Sequence, residues 1–191
     1  MKELTAQQKK SLQTRQRIFN EFCKLVEQNG TNVTVQDICK GANVSVGSFY
    51  HYFESKEAVC GEIYNSIDQR ISEMKFSTHP RLRIEEVMHA LLKTSMDMGN
   101  DLMRIAGVYE FSAHTPVIDK ESASWTLISE ALLLGESQGI FSLKAEPGYY
   151  ADMMIYLFRA ILQFWVVHDG AIDAEQILSK YVEEILEIVD R

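Results

Sequence analysis

Groups that donate hydrogen bonds are concentrated between residues 34 and 56, where the chain reads TVQDICKGANVSVGSFYHYFESK. The hydroxyl, imidazole, phenol and ammonium groups of this stretch suit phosphate oxygens and base edges, which are the two targets of a DNA-binding protein. Apolar contacts between two short helices joined by a tight turn would come from Ile38, Ala42, Val44 and Phe49. The stretch therefore predicts a helix-turn-helix.

The third helix of the chain, which Ser45 is expected to cap, would be the one that enters the major groove. Ser45 and Ser48 lie near its N-terminus, and Gly47 has no side chain to hold the helix away from DNA. Polar tips follow on Tyr50, His51 and Tyr52. Lys56 falls in the first turn of the next helix, where a cation and free backbone N–H groups together suit one phosphate.

Residues 47–53, GSFYHYF, and the ESKEA that follows them closely resemble the signature of the TetR family of transcriptional regulators. The preceding TVQDICKGANV, at residues 34–44, is similar to the second helix and turn of that family. The resemblance covers the helix-turn-helix itself, and the chain length and helix count fit the remainder. It implies a DNA-binding regulator, by default a repressor.

The resemblance also implies a role for each matching position. Bases would be read from the third helix, by Ser45, Val46, Gly47, Ser48 and Tyr50. Phosphates would be held by Tyr50, His51, Tyr52 and Lys56, with Thr34 as a further contact. Val46 is apolar at a position often used for base contact, so it either meets a thymine methyl group or reads nothing. Backbone or minor-groove contacts are a further expectation for Lys9, Lys10 and Arg15.

The charge of the chain is divided unevenly between its two parts. Residues 1–53 hold seven Lys/Arg and four Asp/Glu, a balance of +3, although the whole chain has a net charge of -8. The remainder is therefore strongly acidic. A basic end on an acidic body fits a protein that touches phosphates at one end only.

Apolar residues recur at helical spacing along most of the chain, and no segment keeps the period of two that strands require. The predicted fold class is all-α, with about nine helices. Residues 1–54 would form an N-terminal three-helix helix-turn-helix DNA-binding domain. Residues 55–191 would form a C-terminal helical domain for effector binding and dimerisation.

The last two predicted helices, at residues 149–168 and 174–189, carry wide apolar surfaces. They either complete a monomer core or pair across a two-fold axis, and the family resemblance favours a homodimer on a double-stranded DNA operator. Methionine and aromatic side chains in the body suit a small-molecule effector of largely apolar type, although such stripes also occur in ordinary cores. The candidate effector-binding residues are Met88, Met96, Tyr109, Phe111, Trp125 and Trp165.

Other function classes find little support in the chain. The five histidines are scattered, so neither a catalytic nor a metal site is predicted, and no cofactor is implied. The three cysteines, Cys23, Cys39 and Cys60, indicate reduced, buried thiols, with a redox role left open. We expect no apolar run of membrane-spanning length, which favours a cytoplasmic protein without membrane contact. The alternative function is a helical interaction or small-molecule-binding protein that no longer regulates through DNA.

Overall fold

The computed structural model describes residues 5–30, 32–113 and 118–189, and the side chains of residues 111–113 lie outside that description. Helix α1 spans Ala6–Asn29, α2 spans Val35–Ala42 and α3 spans Val46–Tyr52. A 3-10 helix at Glu57–Cys60 leads directly into α4 at Gly61–Glu73. The remaining helices are α5 at Pro80–Met96, α6 at Asn100–Ala113, α7 at Ala123–Ser137, α8 at Pro147–Val167 and α9 at Ala174–Val189. The all-α prediction is confirmed within these ranges, where the only extended pairing is a single-residue bridge at Phe141.

Helix α1 is the platform on which the two following helices are held. A capping box starts it, because the Thr5 hydroxyl accepts from the Gln8 backbone N–H while the Gln8 side chain accepts from Thr5 N. Its buried residues share one core with those of α2 and α3, namely Ile18, Phe22, Val26, Ile38 and Phe49. Leu12, which the sequence places in the same apolar pattern, is instead exposed.

The turn between α2 and α3 is formed by Asn43. Helix α2 continues through Gly41 to Ala42, and Asn43 provides the left-handed cap, with a φ of 52°. Asn tolerates this conformation better than most residues. Gly41 has another use, because a Cβ there would collide with the side chain of Glu21 on α1. The absence of a side chain at Gly41 leaves room for the Glu21 side chain to lie against α2.

The entry to α4 is tighter than the continuous helix that the sequence predicts. The Ser55 hydroxyl caps the 3-10 turn by accepting from Ala58 N at 3.1 Å, and regular helix begins only at Gly61. Helix α6 packs against this turn, and a Cβ on Gly61 would lie 3.7 Å from the Tyr109 ring. Because α6 also contacts α1, it joins the N-terminal helices to the body.

Helix α5 lies at the centre of the body and packs against α4, α7, α8 and α9. Helix α8 packs against α7 and α9, so the last three helices and α5 share one core. Ser142 N donates to Val189 O at the end of α9, which ties the α7–α8 connection to the C-terminal helix.

Among the described helices, α8 is long and apolar enough to cross a membrane by length and composition, with a mean hydropathy of 1.3. The expectation that no apolar run reaches that length is therefore wrong. Half of the span is buried against other helices, as in the core helix of a folded domain. Asp152 and Arg159 lie within it, and both make hydrogen bonds inside the body.

Candidate nucleic-acid interface and effector cavity

Helix caps hold the predicted helix-turn-helix in place. The Thr34 hydroxyl accepts from Asp37 N at 3.2 Å and donates to the Asp37 carboxylate, which also accepts from Thr34 N. These hydrogen bonds, the one from the hydroxyl first, lower the pKa of Asp37. On α3 the Ser45 hydroxyl accepts from Ser48 N at 3.0 Å. Thr34 and Ser45 are therefore structural caps whose side chains remain exposed.

The residues predicted to read bases lie on the outward face of α3 and at its start. Ser45, Val46 and Gly47 are exposed, Ser48 is half-buried, and Tyr50 is 53% exposed. Among the described residues, a Cβ on Gly47 would have only the Ser45 hydroxyl nearby, at 3.9 Å, so none of them requires a glycine there. Phe49 is fully buried and supports Tyr50 through an edge-to-face ring contact.

The predicted phosphate contacts are distributed around the end of α3. His51 is exposed, and Tyr52 is half-buried with its ring against that of His51. Only one of the two tyrosines therefore points outward, which the sequence could not decide. Lys56 is partly exposed just before the 3-10 helix, with its Nζ 3.9 Å from Glu57 Oε1. An exposed pair at that distance leaves the ammonium group available to a phosphate.

A surface groove of about 610 Å³ runs between α1 and α3. It brings Ser45, Ser48, His51 and Tyr52 together with Lys10 and Arg17 of α1. The sequence reasoning missed Arg17. Helical spacing could have predicted it, because residues 10, 14 and 17 fall on one face of α1.

Arg15 does not lie where the sequence placed it. Its Nε donates to Glu62 Oε1 at 2.8 Å, its Nη1 donates to Tyr52 O at 3.1 Å, and its guanidinium lies 4.5 Å from the centre of the Phe53 ring. All three partners belong to this chain. Arg15 thus links α1 to the end of α3 and to α4. Its geometry does not support the expected DNA contact.

The six candidate effector-binding residues are dispersed through the body. Met88 and Trp165 are buried in the core, whereas Met96, Tyr109 and Trp125 are half-buried. Trp125 donates from Nε1 to Asp152 Oδ1 at 2.8 Å. Phe111 lies outside the described side chains. The assignment of these six residues to an effector stays a prediction.

A cavity of about 120 Å³ lies between α4, α5, α7 and α8, and none of the five candidates whose side chains are described lines it. Its polar wall includes Tyr64, Asp68 and Arg159, and its apolar wall includes Leu91, Ile155 and Phe158. Burial raises the pKa of the Tyr64 phenol to about 12, although the neighbouring Arg159 acts in the opposite direction. Tyr64 is therefore a neutral donor at physiological pH.

The three thiols are all poorly suited to redox chemistry. Burial raises the pKa of Cys23 and of Cys60 to about 12, and it also raises the pKa of Cys39. Thiolate is the reactive form of cysteine, so these side chains are held in the unreactive form. In the described part of the chain no three His, Cys, Asp or Glu side chains are grouped as a metal site would need.

Comparison with known proteins agrees with this geometry. Residues 23–63 match the family model described as bacterial regulatory proteins, tetR family. The HTH-type transcriptional repressor DhaR of Mycobacterium sp. (strain GP1) is 24% identical over 172 residues, which cover 84% of this chain and 86% of that protein.

Solved structures show the same fold. A putative TetR-family transcriptional regulator from Rhodococcus sp. superposes with a TM-score of 0.65 at 20% identity, covering 93% of this chain and 98% of that one. The SmeT–triclosan complex superposes with a TM-score of 0.54 at 16% identity, covering 94% and 92%. The family match therefore lies on the helix-turn-helix, where the exposed polar face of α3 lies beside a cationic α1, and residues 23–63 of this chain are similar to the tetR family of bacterial regulatory proteins.

Proposed function

We propose that this chain is a repressor that binds a palindromic operator as a homodimer and is released by a small-molecule effector. The observation that carries the proposal is the groove between α1 and α3, where the cations Lys10 and Arg17 lie beside Ser45, Ser48 and His51. Cations and hydroxyl donors on one concave surface suit the backbone and base edges of a major groove.

In this proposal the outward face of α3 reads the bases. Ser45, Val46, Gly47, Ser48 and Tyr50 would face the base edges, with the exposed Val46 placed to meet a thymine methyl group. Thr34, Tyr50, His51, Tyr52 and Lys56 would hold phosphates on either side. Arg15 has no place among them, because its three donors and its ring contact are used inside the chain.

The homodimer would form through α8 and α9. Large apolar side chains lie exposed on both helices: Tyr156, Phe164 and Val167 on α8, and Tyr181 and Ile188 on α9. Water contact with so many large apolar groups on two neighbouring helices is unfavourable, and a two-fold partner would remove it. Two copies would also supply the two recognition helices that a palindromic site requires.

The effect of ligand binding would be transmitted by α4, because this helix contacts both the N-terminal helices and the cavity in the body. Its Glu62 accepts from Arg15 of α1, and its Tyr64 and Asp68 line the cavity in the body. A ligand that preferred one position of α4 would therefore favour one spacing of the two DNA-binding ends. SmeT, which shares the fold, has been solved with triclosan bound, and this supports a ligand site in a body of this kind.

Two further assignments accompany the proposal. The boundary between DNA-binding and effector domains is placed between residues 54 and 55, just before the 3-10 helix. The protein acts in the cytoplasm, where its operator lies.

Fluorescence anisotropy tests the proposal directly, with labelled DNA from the region upstream of the chain's own gene. The expected result is tight binding that weakens steeply as salt rises, because phosphate contacts release counterions. An unrelated duplex of equal length is the control and should bind far more weakly. Equal affinity for both duplexes, or no binding, would instead favour a helical protein that no longer regulates through DNA.

A further inference from the structure

Arg159 of α8 lies where three helices meet. Its guanidinium lies 4.4 Å from the centre of the Tyr64 ring on α4, and its Nη1 donates to Glu110 Oε2 on α6 at 3.1 Å. The Tyr64 hydroxyl donates to the same carboxylate oxygen at 3.0 Å. The helices that pack most extensively against α8 are α5, α6, α7 and α9, so the long Arg159 side chain links α8 to a helix whose backbone lies farther away. We call these three side chains the Arg159 junction.

The Arg159 junction is poorly suited to stabilising the fold. Arg159 Nε is buried without a hydrogen-bond partner, and no other buried side-chain nitrogen or oxygen in the described part of the chain lacks one. A donor that is removed from water and left unpaired lowers the free energy of unfolding. The side chains of Arg159 and Glu110 are only 23% and 15% exposed, and apolar residues in place of such an ion pair are often as stable or more so. What the junction does provide is one fixed geometry, because ring, carboxylate and guanidinium hold one another.

Helix α4 connects the junction to the proposed recognition helix. Two residues before Tyr64, Glu62 accepts from Arg15 Nε at 2.8 Å, and Arg15 Nη1 donates to Tyr52 O at the end of α3. With 3.6 residues per turn, residues two apart project from nearly opposite sides of a helix. Helix α4 is therefore held by α1 on one side and by α6 and α8 on the other, and polar contacts run from α8 to the last turn of α3.

Helix α6 provides a second connection. Glu110 follows Tyr109, whose ring would lie 3.7 Å from a Cβ on Gly61 at the start of α4. Helix α6 also packs against the 3-10 helix and against α1. Neighbouring residues of α6 therefore contact α8 and the entry to α4, so a shift of Glu110 relative to Arg159 would move the surface on which the N-terminal helices rest.

We propose that Arg159 is a positioning residue for operator binding, which acts through Glu110 and Tyr64 to hold the N-terminal helices at one angle to α8. The inference rests on the proposed function, because α8 carries the proposed dimer face, and a fixed angle to that face sets the spacing of the two recognition helices. A buried ionic network used in this way gives one specific arrangement rather than added stability.

A distance measurement within one subunit tests the proposal. Lys40→Cys on α2 and Leu133→Cys on α7 place spin labels at exposed positions of the N-terminal helices and of the body. The native thiols do not compete for the label, because burial raises the pKa of each and holds it in the unreactive form. Excess unlabelled protein keeps the labels to one subunit of each dimer. Wild type should give one narrow distance distribution.

The double variant Arg159→Met with Glu110→Gln removes both charges together, so neither is left buried and unpaired. Met keeps a long unbranched side chain, and Gln keeps an oxygen acceptor for the Tyr64 hydroxyl. The distance distribution should become broader or shift, while the melting temperature should equal or exceed that of wild type. A purely structural role would lower the melting temperature and leave the distance unchanged. A narrow, unshifted distribution in the folded double variant would overturn the proposal.

Two further variants keep the test decisive. Arg104→Met with Asp169→Asn removes a second ion pair between α6 and the end of α8, whose side chains are 44% and 81% exposed, and should leave the distribution unchanged. Equal broadening in that control would reject a special role for Arg159. Tyr64→Leu removes the contact with α4 while Arg159 and Glu110 stay paired. It should also broaden the distribution, and it decides the question if the double variant does not fold.

Operator affinity separates this inference from the proposed function. If the operator-competent arrangement falls to about one tenth of the population, the double variant should bind about tenfold more weakly than wild type. If the distribution broadens but wild type does not bind the operator, the positioning role stands and the proposed function fails. If wild type binds and the double variant keeps its distance or its full affinity, the proposed function stands and this inference is wrong.

Discussion

Lys56 and Tyr50 represent the two kinds of contact that the DNA interface would make. Lys56 has a partly exposed ammonium group just before the 3-10 helix, whereas Tyr50 projects from the outward face of α3. Lys56→Ala should therefore weaken binding to all duplexes and reduce the slope of log affinity against log salt by about one. Tyr50→Ala should change the preference among operators by about 1–3 kcal/mol.

Anisotropy titrations at four or five salt concentrations, on the operator and on single-base variants of it, measure both quantities. The two substitutions serve as controls for each other. A change of base preference in Lys56→Ala with an unchanged salt slope would show that the roles are assigned the wrong way round.

Gly47 separates the requirements of folding from those of DNA binding. An added Cβ would find open space within the chain, and alanine favours a helix over glycine by about 0.5–1 kcal/mol. Gly47→Ala should therefore melt at the same temperature as wild type or slightly higher, yet bind the operator more weakly because the methyl group points toward the bases. Thermal melts and anisotropy on the same samples measure this, and unchanged affinity would remove Gly47 from the interface.

The buried thiols lead to a prediction about chemical reactivity. Folding raises the pKa of Cys23 and Cys60 from 9.0 to about 12, so at pH 8 the native thiols are almost entirely protonated. Iodoacetamide should alkylate them much more slowly in native protein than in urea, as followed by mass spectrometry. Rapid native alkylation that also blocks operator binding would instead support a redox role.

The same shifts affect stability at alkaline pH. Above pH 9 the unfolded chain loses these thiol protons while the folded chain keeps them, so the free energy of unfolding should fall between about pH 9 and pH 12. Replacing Cys23 and Cys60 with alanine should flatten that part of the curve.

At the scale of elements, α1 and α4 are joined by an ion pair that crosses the proposed domain boundary. Arg15 donates to Glu62 through both Nε and Nη2, and Nη1 holds the end of α3. Glu62→Ala should weaken operator binding, because the DNA-binding end loses its fixed orientation. Arg15→Ala should weaken it similarly with an unchanged salt slope.

The sign of the Glu62→Ala effect is the decisive measurement. If Arg15 contacted phosphate, removal of Glu62 would free that cation and tighten binding to DNA. Lys24→Ala is the control. It breaks the ion pair between Lys24 and Glu21 on α1 and should leave operator affinity nearly unchanged.

The elements that the sequence predicts well are those defined by local chemistry. The limits of α3 and α9 and the caps at Thr34 and Ser45 follow from a few neighbouring residues, and the structure has them where the pattern puts them. The features that the sequence does not predict depend on contacts between residues that are far apart in the chain. The sequence does not say that Glu62 would reach Arg15, or that Arg159 would meet Glu110 and Tyr64.

Gly135 illustrates the same limit within one helix. From the sequence, a glycine in the middle of α7 is expected only to lower the stability of the helix. In the structure, a Cβ there would collide with the buried ring of Phe141. The glycine is needed only because the segment after α7 folds back and packs Phe141 against this helix. The assignment of the Met and aromatic side chains to an effector stays a prediction for a related reason, because helical spacing cannot distinguish a core face from a cavity wall.

At the scale of the whole molecule, the proposed dimer would bury the exposed apolar side chains of α8 and α9. Its two-fold symmetry would also match that of the operator. Phe164 is 48% exposed and Ile188 is 61% exposed, so both would be buried only by a partner. The double variant Phe164→Glu with Ile188→Glu should be a folded monomer of 21.9 kDa, because four carboxylates would oppose one another across the axis. Wild type should have twice that mass by light scattering after gel filtration.

Leu82→Glu is the matched control, since Leu82 is an exposed apolar residue on α5, away from the proposed face. It should remain dimeric. The monomeric double variant should lose most operator affinity and about half of the salt slope, because one recognition helix instead of two would contact phosphates. A double variant that stays dimeric would place the interface elsewhere. One that becomes monomeric but keeps full affinity would remove the need for a palindromic site.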